Sequence, residues 1–369
     1  RPEQSFGGAF QGQPRAHPVS FNLGCKHNRH RFRIEPNGDI ILDKWNVAIV
    51  KGKDTARFKN AGSGRFFFGL ERWCLNGRFP DPAPVLVYNI HLRNDNILLE
   101  QKSLVVPLNQ SILDGETAPD DTLVCLMRFR FHNAGNRSTV VKLPIQYSQN
   151  SRRSYHPLGN AEQDDNLIPL GQRDILKTNG SIITGEYNGE EVVRCLYQST
   201  MKASAEKNGV VLSQELAPGE RCEAVLKIPY VAVEAENETA ALSGLDFERC
   251  YEEVKKFWPA EGELGAQLKT PEPNLNTLYT AHPVHVAITD ATMPDEPGLI
   301  NTSVGTSTYG NFSNESCIII QELDQRGLPE EARRRLELWI KYQGTVPQPG
   351  NFTDYEGMYY GAGGLECGD

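Results

Sequence analysis

The feature that most constrains this chain is a long succession of short β-like runs, separated by turn residues, between about 21 and 255. Many short strands at close spacing favour antiparallel pairing and two packed sheets. We therefore predict an N-terminal arm over residues 1–20 and a large antiparallel β-sandwich over 21–244. The clearest runs are 84–92, 97–106, 122–133, 138–148, 191–201, 209–216 and 221–231.

Two local patterns support this prediction. The run 32–35, the turn Pro36–Asp39 and the run 40–42 predict a hairpin, because Asn37-Gly38 supplies the positive φ angles that a tight turn needs. Within 122–133, a period of two predicts one core face and one wetter face. The alternating residues are Met127, Phe129 and Phe131 against Arg128, Arg130 and His132.

The pattern becomes helical near residue 245. We predict a helix from Leu245 to Trp258 that Pro259 ends, within a helical linker over 245–273. From 274 onward, helical spacing alternates with two long loops, 291–314 and 345–369. Two helices, 316–326 and one from Pro329 to Gly344, are joined by so short a turn that they must pack antiparallel. Their predicted buried stripes are Ile319, Ile320 and Leu323 in the first, and Ala332, Leu336, Trp339 and Ile340 in the second.

Composition excludes several classes of function. The 38 Lys and Arg against 47 Asp and Glu give a net charge of -9, which argues against nucleic-acid binding. No apolar stretch approaches the roughly 20 residues that span a bilayer. The eight Cys include no CxxC pair.

No metal site is predicted. Cys25, His27 and His30 lie in a run with Lys26, Arg29, Arg31 and Arg33, which would repel a cation, so we expect an exposed basic strand there. The pair His282 and His285 on a helix is more typical of core or interface histidines. The chain starts at Arg1 without a signal peptide and stops after a Gly-rich loop, so we expect a fragment or a processed piece.

The whole order of elements resembles the six-hairpin glycosidase superfamily, which includes glucoamylases, trehalases and inverting disaccharide phosphorylases. Members combine a β-sandwich, a short linker and a toroid of twelve helices, (α/α)6. The segments that carry the resemblance are 294–300, 305–316, 328–332 and 342–344. One departure is Asn314-Glu315, where glucoamylase-like members have Arg-Asp.

The resemblance implies that 274–369 begins an (α/α)6 catalytic domain, for which the remaining part of the toroid would be a partner. It also implies a carbohydrate substrate and no cofactor. The active site of such a toroid is a crater where the inner helices begin, which here corresponds to the loops that end at Ser316 and Asp369. Acid-base cleavage of a glycosidic bond needs two carboxyl groups. Aromatic rings provide flat apolar surfaces on which sugar rings can lie. The implied catalytic residues are Glu315, Glu366 and Asp369, and the implied substrate-binding residues are Tyr309, Phe312, Asn314, Asp354, Tyr355, Glu356 and Tyr360.

Each of these residues also has a structural interpretation. Glu315 suits the first turn of a helix, where an acid favours the helix dipole, and the acids and tyrosines of 354–369 suit an ordinary solvated loop. We expect a secreted or periplasmic glycoside hydrolase that acts on an oligo- or polysaccharide. The alternatives are a disaccharide phosphorylase, for which Thr302-Ser303 and Thr306-Ser307-Thr308 would help to cradle phosphate, and a non-catalytic carbohydrate-binding module.

Overall fold

The computed structural model describes residues 20–357 apart from 43–63, 120, 150–172, 188, 234–235, 294–295, 303–310, 312, 346–352 and 355. Over these residues the chain is β-rich, with two large antiparallel sheets and five α-helices in its C-terminal part. The strands are β1 (Phe21–Gly24), β2 (Arg31–Ile34), β3 (Ile40–Leu42), β4 (Gly64–Phe67), β5 (Cys74–Pro80), β6 (Val87–Asn94), β7 (Ile97–Pro107), β8 (Leu123–Asn133), β9 (Thr139–Ser148), β10 (Lys177–Asn179), β11 (Ile182–Tyr187), β12 (Glu190–Ser199), β13 (Lys202–Glu206), β14 (Gly209–Leu216), β15 (Arg221–Pro229), β16 (Ala291–Met293) and β17 (Glu296–Asn301).

The two sheets follow the predicted antiparallel plan. One has the strand order β1-β2-β3-β4-β9-β14-β13, and the other has the order β10-β11-β12-β15-β8-β7-β6-β5. The seven clearest predicted runs correspond to β6, β7, β8, β9, β12, β14 and β15. On β8 the predicted alternation is confirmed, because Met127, Phe129 and Phe131 are fully buried in the core while Arg130 is exposed.

The predicted hairpin between β2 and β3 also forms. Its turn needs only one positive φ, at Gly38 (+91°). The buried Gln101 of β7 donates from Nε2 to the Gly38 carbonyl at 2.8 Å, and a Cβ on Gly38 would lie 2.2 Å from Oε1 of the same side chain. Gly38 therefore serves both the turn and the contact between the two sheets.

The helices are α1 (Glu236–Gly244), α2 (Phe247–Gly262), α3 (Pro273–Thr289), α4 (Ser313–Gln325) and α5 (Pro329–Tyr342). The predicted end of α2 at Trp258 is wrong, because the helix continues through Pro259 to Gly262. Trp258 is fully buried, so packing holds this last turn against the sandwich. Two further predictions need correction: α1 lies inside the range assigned to the sandwich, and the hairpin β16–β17 occupies part of the predicted loop 291–314.

Helix α2 covers the outer face of the second sheet. Its N-cap is Asp246, whose side chain accepts from the Arg249 backbone N–H at 2.8 Å. The Arg128 guanidinium of β8 lies 4.4 Å from the centroid of the Phe247 ring and pairs with Glu248. This cover explains why Arg128 is buried on the face where the alternation predicts a wetter environment.

Helices α4 and α5 form the predicted antiparallel hairpin, with Gly327 (φ +81°) in the turn. Leu323 of α4 and Ala332 of α5 are buried together with Val286 of α3. The predicted stripe of α5 is partly wrong, since Leu336 and Ile340 are exposed. The reason is that α5 lies against the β16–β17 hairpin through Leu338, which rotates the buried face. Large apolar side chains that remain exposed on these helices are Leu275, Leu278, Ile318, Leu336 and Ile340.

The segment after β1 joins the sandwich to the helices, and its predicted exposure is wrong. The His27 backbone N–H donates to the Ala287 carbonyl of α3 at 2.8 Å, and the Thr292 N–H of β16 donates to the His27 carbonyl at 2.9 Å. His27 is therefore buried between the two parts, and the basic residues that follow it are buried as well. The buried members of this run are Cys25, His27, Arg29, His30, Arg31 and Arg33.

An ionic network with a buried centre lies at this junction. Arg335 of α5, only 1% exposed, pairs with the fully buried Asp290 at 2.8 Å and with Glu331 at 2.8 Å. The two ring nitrogens of His27 lie 3.3 Å from Glu116 and 3.4 Å from Glu331. Burial opposes the ionisation of Glu116, but hydrogen bonds from His27 and Arg334 outweigh it and lower the pKa of this carboxyl to about 2.

We expect Arg335→Met to lower the free energy of unfolding by about 3–5 kcal/mol, because Asp290 would stay buried without this guanidinium. Guanidinium chloride unfolding monitored by circular dichroism measures the change. The matched control is Arg333→Met on the same helix, whose exposed side chain pairs with Glu330; it should leave stability unchanged. Equal losses in the two variants would contradict this role for Arg335.

The lowered pKa of Glu116 predicts a dependence of stability on pH. Since the pKa falls from 4.5 to about 2 on folding, its contribution is fully present above the unfolded value and is lost as the pH falls toward 2. The variant Glu116→Gln should therefore reduce the loss of unfolding free energy between about pH 5 and about pH 3. The exposed Glu263→Gln is the control. An unchanged pH profile in Glu116→Gln would overturn the assignment.

Candidate functional site

The start of α4 carries the first predicted site residues. Helix α4 begins at Ser313, three residues before the predicted start, so that Asn314 and Glu315 both lie in its first turn and are exposed. Because α4 and α5 are antiparallel, this end of the hairpin is also where α5 finishes at Tyr342. The helix dipole favours an acidic side chain at this position, as the structural interpretation of Glu315 assumes.

A buried polar cluster supports this helix start. Asn311 is fully buried and donates from Nδ2 to the Asn301 side-chain oxygen at 3.0 Å. The Ser316 hydroxyl, also fully buried, donates to Asn311 Oδ1. Asn301 is the last residue of β17, so the cluster ties the β16–β17 hairpin to the beginning of α4. The sequence does not predict this cluster, because Asn301 and Asn311 lie in the stretch 291–314 that we predicted as a polar loop.

A second acidic segment lies at the same end. The Gln343 side chain, just after α5, donates from Nε2 to the Gly357 carbonyl at 2.8 Å. The exposed Asp354 accepts the Glu356 backbone N–H at 2.8 Å, which orders a short acidic turn. The structure therefore brings Glu315 and the pair Asp354 and Glu356 to one end of the helical hairpin, from segments about forty residues apart in sequence.

The other predicted site residues lie outside the described residues. They are Tyr309, Phe312, Tyr355, Tyr360, Glu366 and Asp369. Of the predicted phosphate-binding residues, only Thr302 is described, and it is fully buried next to Asn301.

The described part of this end is acidic, hydroxyl-bearing and open to water. Carboxylates from two independent segments, together with the exposed amide of Asn314, match the polar groups that bind sugar hydroxyls. Acid-base cleavage of a glycosidic bond also needs at least two carboxyl groups, on opposite sides of the bond. The distance between these two groups decides the stereochemical outcome.

The described ranges show no metal site and no membrane-spanning helix. In these ranges, no three His, Cys, Asp or Glu side chains converge as metal ligands. His282 of α3 lies 3.6 Å from Glu322 of α4, as expected for an interface histidine. None of the described helices is long and apolar enough to cross a membrane.

Comparison with known proteins gives no assignment. No family model matches the chain, and no curated protein is significantly similar to it. The resemblance to six-hairpin glycosidases therefore stays a prediction from the residues and the order of elements.

We expect Asn311→Ala to lower the free energy of unfolding by about 1–3 kcal/mol, because Ser316 and Asn301 would lose a buried hydrogen-bond partner. Urea unfolding measures the loss. The control is Asn314→Ala, three residues along, whose side chain is exposed and should leave stability nearly unchanged. If both variants unfold at the same urea concentration as the parent protein, Asn311 does not support the helix start.

Proposed function

We propose that this chain is part of a glycoside hydrolase that cleaves an oligo- or polysaccharide by carboxylate acid-base catalysis. The observation that carries the proposal is that two acidic segments, one with Glu315 and one with Asp354 and Glu356, lie at the same end of the helical hairpin. An arrangement of this kind provides a carboxyl group for the reacting bond and further carboxylates for sugar hydroxyls.

The order of the elements supports the same proposal. A two-sheet sandwich, three helices, a short β-hairpin and an antiparallel helical hairpin follow one another along the chain. We propose that the hairpin belongs to an (α/α)6 toroid, and that the crater of this toroid lies where α4 begins. Exposed Ile318, Leu336 and Ile340 are consistent with further helices against α4 and α5.

In this proposal Glu315 acts in catalysis and Asn314 binds a sugar hydroxyl. Asp354 and Glu356 bind further hydroxyls on the opposite side of the crater. Asn311 is a positioning residue, because it holds the helix start from which Glu315 projects. The chemistry needs no cofactor, since protons move only between carboxyl groups, water and the glycosidic oxygen.

The proposal is tested by incubating the full-length natural protein with a panel of oligosaccharides, with and without inorganic phosphate, and analysing the products. Release of reducing sugar without phosphate supports the hydrolase. Release only with phosphate overturns it in favour of the phosphorylase alternative. A folded protein that releases nothing from the whole panel overturns catalysis and leaves the carbohydrate-binding alternative.

The role of Glu315 has a test of its own. We expect Glu315→Gln to abolish turnover and leave the unfolding transition intact, because the amide neither donates nor accepts the catalytic proton. The matched control is Asp324→Asn, an exposed acid at the opposite end of α4, which should retain full kcat. Retained kcat in Glu315→Gln would remove this residue from the reaction.

A further inference from the structure

A second polar cleft lies on the sandwich, away from the helices. It has a volume of about 800 Å³ and is formed where three connections meet: the loop after β4, the β6–β7 turn and the β8–β9 loop. Strand β7 runs its 11 residues from Ile97 at this cleft to Pro107, near the helical junction. At about 3.4 Å per residue, roughly 34 Å separate the two ends. The cleft is therefore distinct from the proposed crater.

Trp73 provides the apolar surface of this cleft. Its backbone N–H donates to the Leu70 carbonyl at 3.0 Å, which closes the loop after β4. The indole is partly buried against the sandwich core, and its ring centroid lies 6.1 Å from that of Phe131 in an edge-to-face arrangement. Packing thus fixes the indole from behind while part of it lines the cleft.

The polar rim is held in place by internal contacts. Asn133 is fully buried, donates to the Arg137 and Leu216 carbonyls, and accepts from the Gly135 N–H at 3.0 Å. A Cβ on Gly135 would lie 2.9 Å from the Cβ of Asn96, so the two loops touch because residue 135 is a glycine. The cleft walls are consequently preformed.

The charge of the lining is opposite to that of the whole chain. Arg93, Arg137 and Lys142 line the cleft, and Asp95 is the one acid among its lining residues. The chain as a whole carries a net charge of -9. Uncharged polar side chains also line the cleft, among them the amide of Asn94 and the hydroxyl of Ser138. They can donate hydrogen bonds to a hydroxylated ligand and accept hydrogen bonds from it.

From this combination we propose that the cleft binds an acidic saccharide. A sugar ring would lie on the Trp73 indole, and its carboxylate or sulfate would accept hydrogen bonds from Arg137 and Lys142. Guanidinium and ammonium groups bind such anions through charge-assisted hydrogen bonds, and an indole face supplies the apolar surface that a pyranose ring covers. This site is independent of catalysis at α4 and holds whether or not Glu315 acts in hydrolysis.

The test is isothermal titration calorimetry on the whole chain with three probes of equal length: trigalacturonate, a sulfated trisaccharide and neutral maltotriose. At least one of the two charged probes should bind, and maltotriose should bind about tenfold or more weakly, the factor expected for one charged hydrogen bond. Which charged probe binds more tightly distinguishes a uronate ligand from a sulfated one. Added sodium chloride should weaken the charged probes alone.

Variants locate the binding. Arg137→Ala combined with Lys142→Ala should weaken the charged probe about tenfold or more, whereas the exposed pair Lys207→Ala and Lys256→Ala, outside the cleft, should not. Trp73→Phe keeps an apolar ring against the core and should abolish the ligand-induced change in tryptophan fluorescence. Failure of both charged probes to bind, equal binding of maltotriose, or unchanged affinity in the cleft variant would overturn the proposal.

Discussion

The ion pair between Arg335 and Asp290 is the interaction on which the arrangement of the two parts depends. Both side chains are almost completely excluded from water, and a buried charge costs several kcal/mol unless its partner is in place. The guanidinium comes from α5, the carboxylate follows α3, and His27 of the sandwich side lies 3.3 Å from the same guanidinium. The ion pair therefore joins α5 to the end of α3, and the contact with His27 places it against the sandwich side.

The position of Asp290 also determines the candidate site. The β16–β17 hairpin begins at the next residue and ends at Asn301, whose side chain accepts from Asn311. Asn311 in turn accepts from Ser316 at the start of α4. The β16–β17 hairpin and these two hydrogen bonds thus connect the junction to the first turn of α4, which carries Glu315.

The sequence predicted most of what depends on local periodicity. Strands such as β8 and β14 show the apolar pattern of a packed sheet, whereas β10 and β13 are short and largely exposed, so no pattern marked them. Helical periodicity identified α5 but assigned Leu336 to its buried face in place of Arg335. The error is physical: a charged side chain is buried only when partners neutralise it, and the buried Asp290 that pairs with Arg335 lies 45 residues away in sequence. The same reason explains why the basic run after β1 was predicted to be exposed.

The candidate site, too, has features that the residue types reveal and features that depend on the surrounding structure. Glu315 and the acids near Asp354 stand out as residue types. The short turn at Gly327 places the start of α4 beside the end of α5, but the hydrogen bond from Gln343 that holds the Asp354 segment at this end could not be predicted. The function of each carboxyl depends instead on its surroundings. Exposure to water favours the ionised carboxylate, which suits a general base or a hydroxyl ligand, whereas a general acid must be desolvated to keep its proton near neutral pH. Since Glu315 is exposed in the free chain, an acid role requires that the bound sugar itself covers this side chain and excludes water from it.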